Sequence, residues 1–134
     1  MEDLWRQKAD AFILVYSVTS EQSFHRLEEL YEIICRGRDA EQPVSYLPLI
    51  FREIIIIGAS HQTYFVVAGN KCDTPKELRL IPQSRGKEFA AKINAPFYST
   101  SAKDNKNIAI LFEDCVRQVV GLKSAKRKKS CNLL

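Results

Sequence analysis

Cysteine pairs, histidine clusters and long apolar runs are all missing from this chain of 134 residues, and each absence removes a class of protein. The four cysteines, Cys35, Cys72, Cys115 and Cys131, are widely spaced with no C-x-x-C, and the two histidines, His25 and His61, lie far apart. Neither a zinc site nor a disulfide framework is indicated. No apolar run reaches the roughly 20 residues that span a bilayer. The opening Met1-Glu2-Asp3-Leu4-Trp5 is acidic and lacks the apolar stretch of a secretory signal. These features predict a reducing, cytosolic setting. Acid is also missing beyond Gly121, where Lys123, Lys126, Arg127, Lys128 and Lys129 all lie. The formal charge of +4 therefore sits in the tail, because residues 1–121 carry 15 basic against 16 acidic side chains. A neutral body argues against a nucleic-acid partner, and a basic tail suits an anionic surface.

What remains is an ordinary globular composition, 46% apolar and 27% charged, enough for one domain with a core. Residues 1–9 read as the tail of an amphipathic helix that has lost its beginning. The nearly continuous apolar run Ala11–Tyr16 fits a strand covered on both faces, as parallel strands are. Thr19 and Gln22 offer a capping box before a helix with Phe24, Leu27, Leu30, Tyr31 and Ile34 inward, expected to stop near Gly37. A second strand is expected at 64–69, a second helix over about Ser84 to Ile93 with Phe89, Ala90 and Ile93 inward, and a short strand at 96–99. The last helix starts near Asn107, carries the clearest 3.6-residue period (Ile108, Leu111, Phe112, Cys115, Val116, Val119) and is expected to end at Gly121. Repeated β-α alternation predicts an α/β fold with a parallel sheet.

Residues 44–62 break this order. About two to six residues usually link a helix to the next strand, but here Val44 to Gln62 intervene with an apolar, strand-like run. Two readings stand. Removing the segment joins Pro43 to Thr63, and Val-Ser and Gln can be encoded by GTGAGT and CAG, the usual ends of an intron, so the segment reads as a retained or misannotated intron. Alternatively, residues 49–57 form a genuine extra strand that covers a free sheet edge.

Polar residues at the carboxyl ends of strands in an open α/β sheet are placed to touch ligands. Here Asn70-Lys71-Cys72-Asp73 follows one strand, Ser101-Ala102-Lys103 follows the next, and Cys131-Asn132-Leu133-Leu134 closes the chain as a C-a-a-X box. Asn and Asp are also common turn residues, but N-K-x-D and S-A-K spaced one β-α unit apart closely resemble the C-terminal two thirds of a Ras-family small GTPase. The likeness covers most of residues 1–43 and 63–134, with the run from Asp10 to Val18 resembling the family's fourth strand.

The resemblance implies a P-loop NTPase fold of three layers with a mostly parallel sheet, missing its first strands. It also implies a guanine pocket. Guanine presents an N1–H and an exocyclic amine side by side, and one carboxylate accepts both, so Asp73 would select guanine over adenine. A matched pair on a base edge discriminates by roughly 1 to 3 kcal/mol, and a carboxylate left unpaired penalises the wrong base further. By resemblance, Asn70 bonds the base and ties the loops together, the stem of Lys71 lies over the ring, Ala102 offers its N–H to the guanine O6, Ser101 braces Asp73 and Lys103 flanks base and sugar.

Phosphates in the family are held by G-x-x-x-x-G-K-[ST], with a Ser/Thr and a D-x-x-G Asp placing Mg²⁺. The five glycines, Gly37, Gly58, Gly69, Gly86 and Gly121, make no such spacing. The switch I threonine and the water-orienting Gln find no match either. The chain is therefore expected to be an incomplete small GTPase domain over 1–121. GTP or GDP would be identified by its base but weakly held at its phosphates, with no catalytic residue assigned, no metal ligands and hydrolysis near absent. Family-type exchange factors, GAPs and effectors are not expected to engage it.

Residues 122–134 complete the picture as a basic tail. Cys131 in a C-a-a-X box ending in Leu favours geranylgeranyl. The adjacent cationic cluster supplies about 1 kcal/mol per charge at an anionic leaflet. The expected location is the cytoplasmic face of the plasma membrane or endomembranes, in signal transduction. The alternative is a non-enzymatic, membrane-tethered fragment that interacts with partners through its helices.

Overall fold

The computed structural model describes residues 8–39 and 63–131. The anomalous segment 44–62, with His61, lies outside them, as do residues 1–7 of the expected opening helix and the last three residues of the C-a-a-X box. The elements are β1 (Ala11–Ser17), α1 (Glu21–Asp39), β2 (Tyr64–Asn70), a 3₁₀ turn (Lys76–Leu78), α2 (Gln83–Lys92), β3 (Phe97–Ser99) and α3 (Ile108–Cys131). Among the described residues the sheet has three strands in the order β1-β2-β3, all parallel. The register pairs Ala11 with Tyr64 and Ser17 with Asn70 on one side of β2, and Val67 with Phe97 and Gly69 with Ser99 on the other.

Three layers result, because side chains alternate along each strand. On one face, Leu14, Tyr16 and Val67 pack with Phe24, Leu27 and Ile34 of α1, with Phe89 and Ala90 of α2, and with Ile81. An aromatic chain crosses this face: Tyr16 meets Phe24 edge-on at 5.0 Å, Phe24 meets Phe89 at 6.1 Å, and Tyr31 lies 5.9 Å from Phe89 and 5.0 Å from Phe65. On the other face, Val66 and Ala68 pack against Leu111 and Cys115 of α3. Burial raises the pKa of the Cys115 thiol, with Asp114 adding to the rise, which suits a core side chain. Cys35 is half-buried on α1.

The expected cap of α1 shifts by one residue. Ser20, rather than Thr19, precedes the helix, and its Oγ accepts the Ser23 N–H at 3.2 Å. Thr19 instead shares a 2.9 Å hydrogen bond between its hydroxyl and that of Ser17. His25 stands on the exposed face of α1, 3.6 Å from Glu28.

The expected helix stop at Gly121 is overturned, since α3 runs on to Cys131. One interior glycine costs a helix about 1 kcal/mol. The Leu, Lys, Ala and Arg residues that follow are strong helix formers, and cations near a helix C-terminus interact well with its dipole. The apolar stripe of α3 is only partly used. Leu111 and Cys115 are buried, whereas Phe112 and Val116 are exposed, and so is Val120.

Candidate functional site

The parallel register brings two loops to the same level. Gly69 pairs with Ser99, so the chain leaves β2 at Asn70 and β3 at Thr100 side by side. The backbone ties the loops directly: the Thr100 N–H donates to the Gly69 carbonyl at 2.9 Å, and the Cys72 N–H donates to the Thr100 carbonyl at 2.9 Å. Thr100 and Ser101 are only 2% and 1% exposed, and they form the floor on which the other groups stand. Lys71, Asp73, Ala102 and Lys103 are exposed above it, and Asn70 is half-buried at the junction.

Each loop is braced by the other. Asn70 Oδ1 accepts the Ala102 N–H at 3.2 Å and the Thr100 hydroxyl at 3.4 Å. The Ser101 hydroxyl donates to Asp73 Oδ1 at 2.8 Å and accepts the Asp104 N–H at 3.1 Å. Ser101 and Lys106 exchange backbone hydrogen bonds of 3.2 and 2.9 Å, closing the second loop, and Asn107 Nδ2 donates to the Ser99 carbonyl at 2.7 Å. These bonds explain the conformations the loops adopt. Asn105 and Asn107 take φ of 52° and 59°, in the left-handed region that asparagine tolerates. Lys71 takes φ of 66°, which is unusual for a lysine. Backbone strain of this kind collects at ligand-binding positions. Here it is held by the turn in which the Thr74 N–H donates to the Lys71 carbonyl at 2.9 Å.

The electrostatics follow from the same contacts. The Ser101 hydroxyl, first among the causes, lowers the pKa of the Asp73 carboxyl; a backbone hydrogen bond and the Lys103 and Lys71 charges add to this, and partial desolvation opposes it. Asp73 is therefore an ionised acceptor facing solvent at neutral pH. With the Asn70 oxygen engaged by two donors, the hydrogen-bond network assigns its amide nitrogen to the open side. The site thus offers a carboxylate, an amide and two flanking lysines on a buried hydroxyl floor. A flat heterocycle with adjacent N–H donors matches that set of groups.

The structure brings together every candidate from the two loops: Asn70, Lys71, Asp73, Ser101, Ala102 and Lys103. It places the Ala102 N–H on the Asn70 side chain, so a base carbonyl would have to share or take over that donor. Lys123, Lys126, Arg127, Lys128, Lys129 and Cys131 lie on the helical backbone of α3, remote in sequence from these loops. Among the described residues there is no group of three or more His, Cys, Asp or Glu side chains that could hold a metal ion. Sequence reasoning missed two residues. Thr100 is a buried partner of Asn70, and Arg79 reaches back to bond the Cys72 and Thr74 carbonyls, each at 2.8 Å. Thr100 adjoins Ser101 and could have been suspected; Arg79 lies in a stretch with no periodicity and gave no signal.

Comparison with known proteins identifies the family. A model of the Ras family matches residues 1–121. The chain is 30% identical over 129 residues to "Ras-like protein 2" of Mucor circinelloides f. lusitanicus, covering 96% of this chain and 54% of that protein. It is 30% identical over 149 residues to "Ras-like protein rasS" of Dictyostelium discoideum, covering 100% of this chain and 66% of the relative. It is also 32% identical over 119 residues to a "Ras-like protein" of Laccaria bicolor, covering 89% and 47%. The chain spans about half to two thirds of the length of these relatives. A match along residues 1–121, on a parallel α/β sheet that carries the two loops at its carboxyl edge, means that this chain belongs to the Ras family of small GTPases.

Proposed function

We propose that this chain binds guanine nucleotides through the loops after β2 and β3 and is held at a membrane by its tail, in the signalling role of a small GTPase. The observation that carries the nucleotide reading is the 2.8 Å bond from the Ser101 hydroxyl to Asp73, joined to the 3.2 Å bond from the Ala102 N–H to Asn70. These contacts lock two separate β-α units into one polar surface. Asp73 accepts the N1–H and the exocyclic amine of guanine. The Asn70 amide nitrogen donates to the base, and the aliphatic stems of Lys71 and Lys103 flank it. Asp73 reads adenine poorly, because adenine presents an unprotonated N1 there and no exocyclic amine at C2.

The sequence carries no G-x-x-x-x-G-K-[ST], so the phosphates gain few of the backbone N–H and lysine contacts that the motif provides. Affinity is therefore set by the base and should be weak, with GTP hydrolysis by these 134 residues near absent. Purified chain titrated with GDP and with ADP, followed through the backbone amide signals of Asn70 and Ala102, tests this. Shifts saturating with GDP at micromolar or weaker affinity, and not with ADP, support the reading. Equal response to both nucleotides, or a nanomolar GDP complex, overturns it.

For the tail we propose geranylgeranylation of Cys131, with Lys123, Lys126, Arg127, Lys128 and Lys129 supplying the second signal at an anionic, cytoplasmic-face leaflet. Among the described residues no helix is long and apolar enough to cross a membrane. Cys131→Ser should release the protein to the soluble fraction; unchanged fractionation refutes the anchor. A second reading, a membrane-tethered interaction fragment without enzymatic activity, draws on the exposed Phe112, Val116 and Val120. A chain that shows no nucleotide binding would favour it.

A further inference from the structure

Arg79 belongs to none of the motifs that point to nucleotide binding, yet the fold delivers it to the back of the guanine loop. It follows the 3₁₀ turn, within which the Leu78 N–H donates to the Pro75 carbonyl at 3.0 Å. The next two residues are pinned, because the N–H groups of Leu80 and Ile81 both donate to the Val18 carbonyl, at 2.8 and 3.0 Å, and the Ile81 side chain is fully buried. The chain doubles back, and the half-buried Arg79 side chain reaches the loop it has just left. Its Nε donates to the Thr74 carbonyl at 2.8 Å and its Nη2 donates to the Cys72 carbonyl at 2.8 Å.

Those two carbonyls belong to the residues on either side of Asp73. A guanidinium is a rigid planar fork whose donors leave at fixed angles. Bonding both carbonyls therefore fixes the plane of the turn from which the Asp73 side chain springs. Ser101 holds the carboxylate itself from the β3 side. The Arg79 bonds go to the backbone on either side of Asp73, so they act on where its carboxylate points.

We propose that Arg79 is a positioning residue for base recognition: by clamping the Cys72 and Thr74 carbonyls it aims the Asp73 carboxylate, and so sets the preference for guanine over a purine that lacks the 2-amino group. The inference rests on the reading of this pocket as a guanine site. Hypoxanthine is the matched probe, since it keeps the ring, O6 and N1–H and lacks only the amine that the second carboxylate oxygen accepts. A misaimed carboxylate can still meet one N–H but not two at once.

The test compares GDP with inosine diphosphate on the purified full chain, by amide-shift titration at neutral pH. Four proteins are used: the wild type, Arg79→Met, which keeps the stem and removes the fork, Arg79→Lys, which keeps the charge, and Asp73→Ala. The wild type should prefer GDP by about tenfold, the weight of one base-edge contact. Arg79→Met should bring the ratio to within about twofold, Arg79→Lys should fall between, and Asp73→Ala should show no preference. A purely structural role would lower the melting temperature and weaken both nucleotides by the same factor, leaving the ratio intact. An intact ratio in Arg79→Met, beside its loss in Asp73→Ala, overturns the role of Arg79 and leaves the guanine pocket standing. If Arg79→Met does not fold, Arg79→Lys decides, because a single-point ammonium that preserves the full ratio equally overturns the clamp. A wild-type chain that binds both nucleotides equally overturns the guanine reading and this inference with it.

Discussion

The Tyr16 hydroxyl should be a net cost to this fold, and Tyr16→Phe should stabilise it. Tyr16 is 1% exposed, and its hydroxyl is a buried polar atom with no hydrogen-bond partner among the described residues. Burial raises its pKa, with the Arg85 charge opposing the rise only in part, so the hydroxyl stays protonated and its O–H remains unsatisfied. A hydroxyl buried without a partner costs about 1–3 kcal/mol in proteins. Phenylalanine keeps the ring and its edge-on contact with Phe24 at 5.0 Å. The void left by one oxygen is small, on the order of 10–15 Å³, and costs about 0.3 kcal/mol. The net gain should be about 1–2 kcal/mol, which raises the urea midpoint by roughly 0.5–1 M at the usual slope for a domain of this size. Equilibrium unfolding followed by circular dichroism reads it. A midpoint equal to or below that of the wild type refutes the reasoning and means that the hydroxyl is satisfied. Gly86→Ala supplies the opposite sign at the same spot. A Cβ there would clash with the Tyr16 hydroxyl and lie 2.6 Å from the Phe97 ring, so overpacking should exceed the helix-propensity gain of about 1 kcal/mol. Combining it with Tyr16→Phe should leave the variant destabilised, because the Phe97 clash survives.

Three further outcomes follow from the contacts. Arg85 bonds both oxygens of Glu21, at 2.8 and 2.7 Å, and lies 4.6 Å from the centre of the Phe24 ring; with both ends of the pair more than a third exposed, Arg85→Ala should cost only about 1 kcal/mol by thermal melting. The Asp73 carboxyl has its pKa lowered from 3.8, so its ionised form persists as pH falls and is lost only below that value. GDP binding should accordingly stay flat between about pH 7 and 5, and a midpoint inside that range would refute the assignment of Asp73 as the acceptor. Val116 is 59% exposed on α3, so Val116→Glu should change stability by less than about 0.5 kcal/mol in thermal melting, and a larger loss would mean that the side chain is covered.

The legible part of this protein was the part encoded locally. The apolar runs of β1 and β2, the 3.6-residue period of α3 and the N-K-x-D and S-A-K spacing are patterns of neighbours along the chain, and they announced the parallel α/β sheet and its two loops. Local chemistry misled where two weak signals competed. Gly121 was expected to end α3, but the helix formers after it outweigh one glycine, and Thr19 was expected to cap α1 where Ser20 does. The period of α3 also overstated its buried face. Periodicity marks which residues share a side of a helix, but only the position of the helix over β2 decides that Leu111 and Cys115 are covered while Phe112 and Val116 are not.

By itself, then, the sequence determined the class of fold, the family and the identity of the residues at the carboxyl edge, because those depend on residue type and spacing. Tertiary structure alone decided how those residues act on one another. The Ser101 hydroxyl meets Asp73 across 28 positions, and the Ala102 N–H meets Asn70 across 32, because the register of β2 on β3 sets the loops level. The Tyr16 hydroxyl packed against Gly86, and the Arg79 fork behind Asp73, likewise arise only when the chain has folded back on itself. Hydrogen bonds depend on distance and angle in space, which the order of residues along the chain does not state.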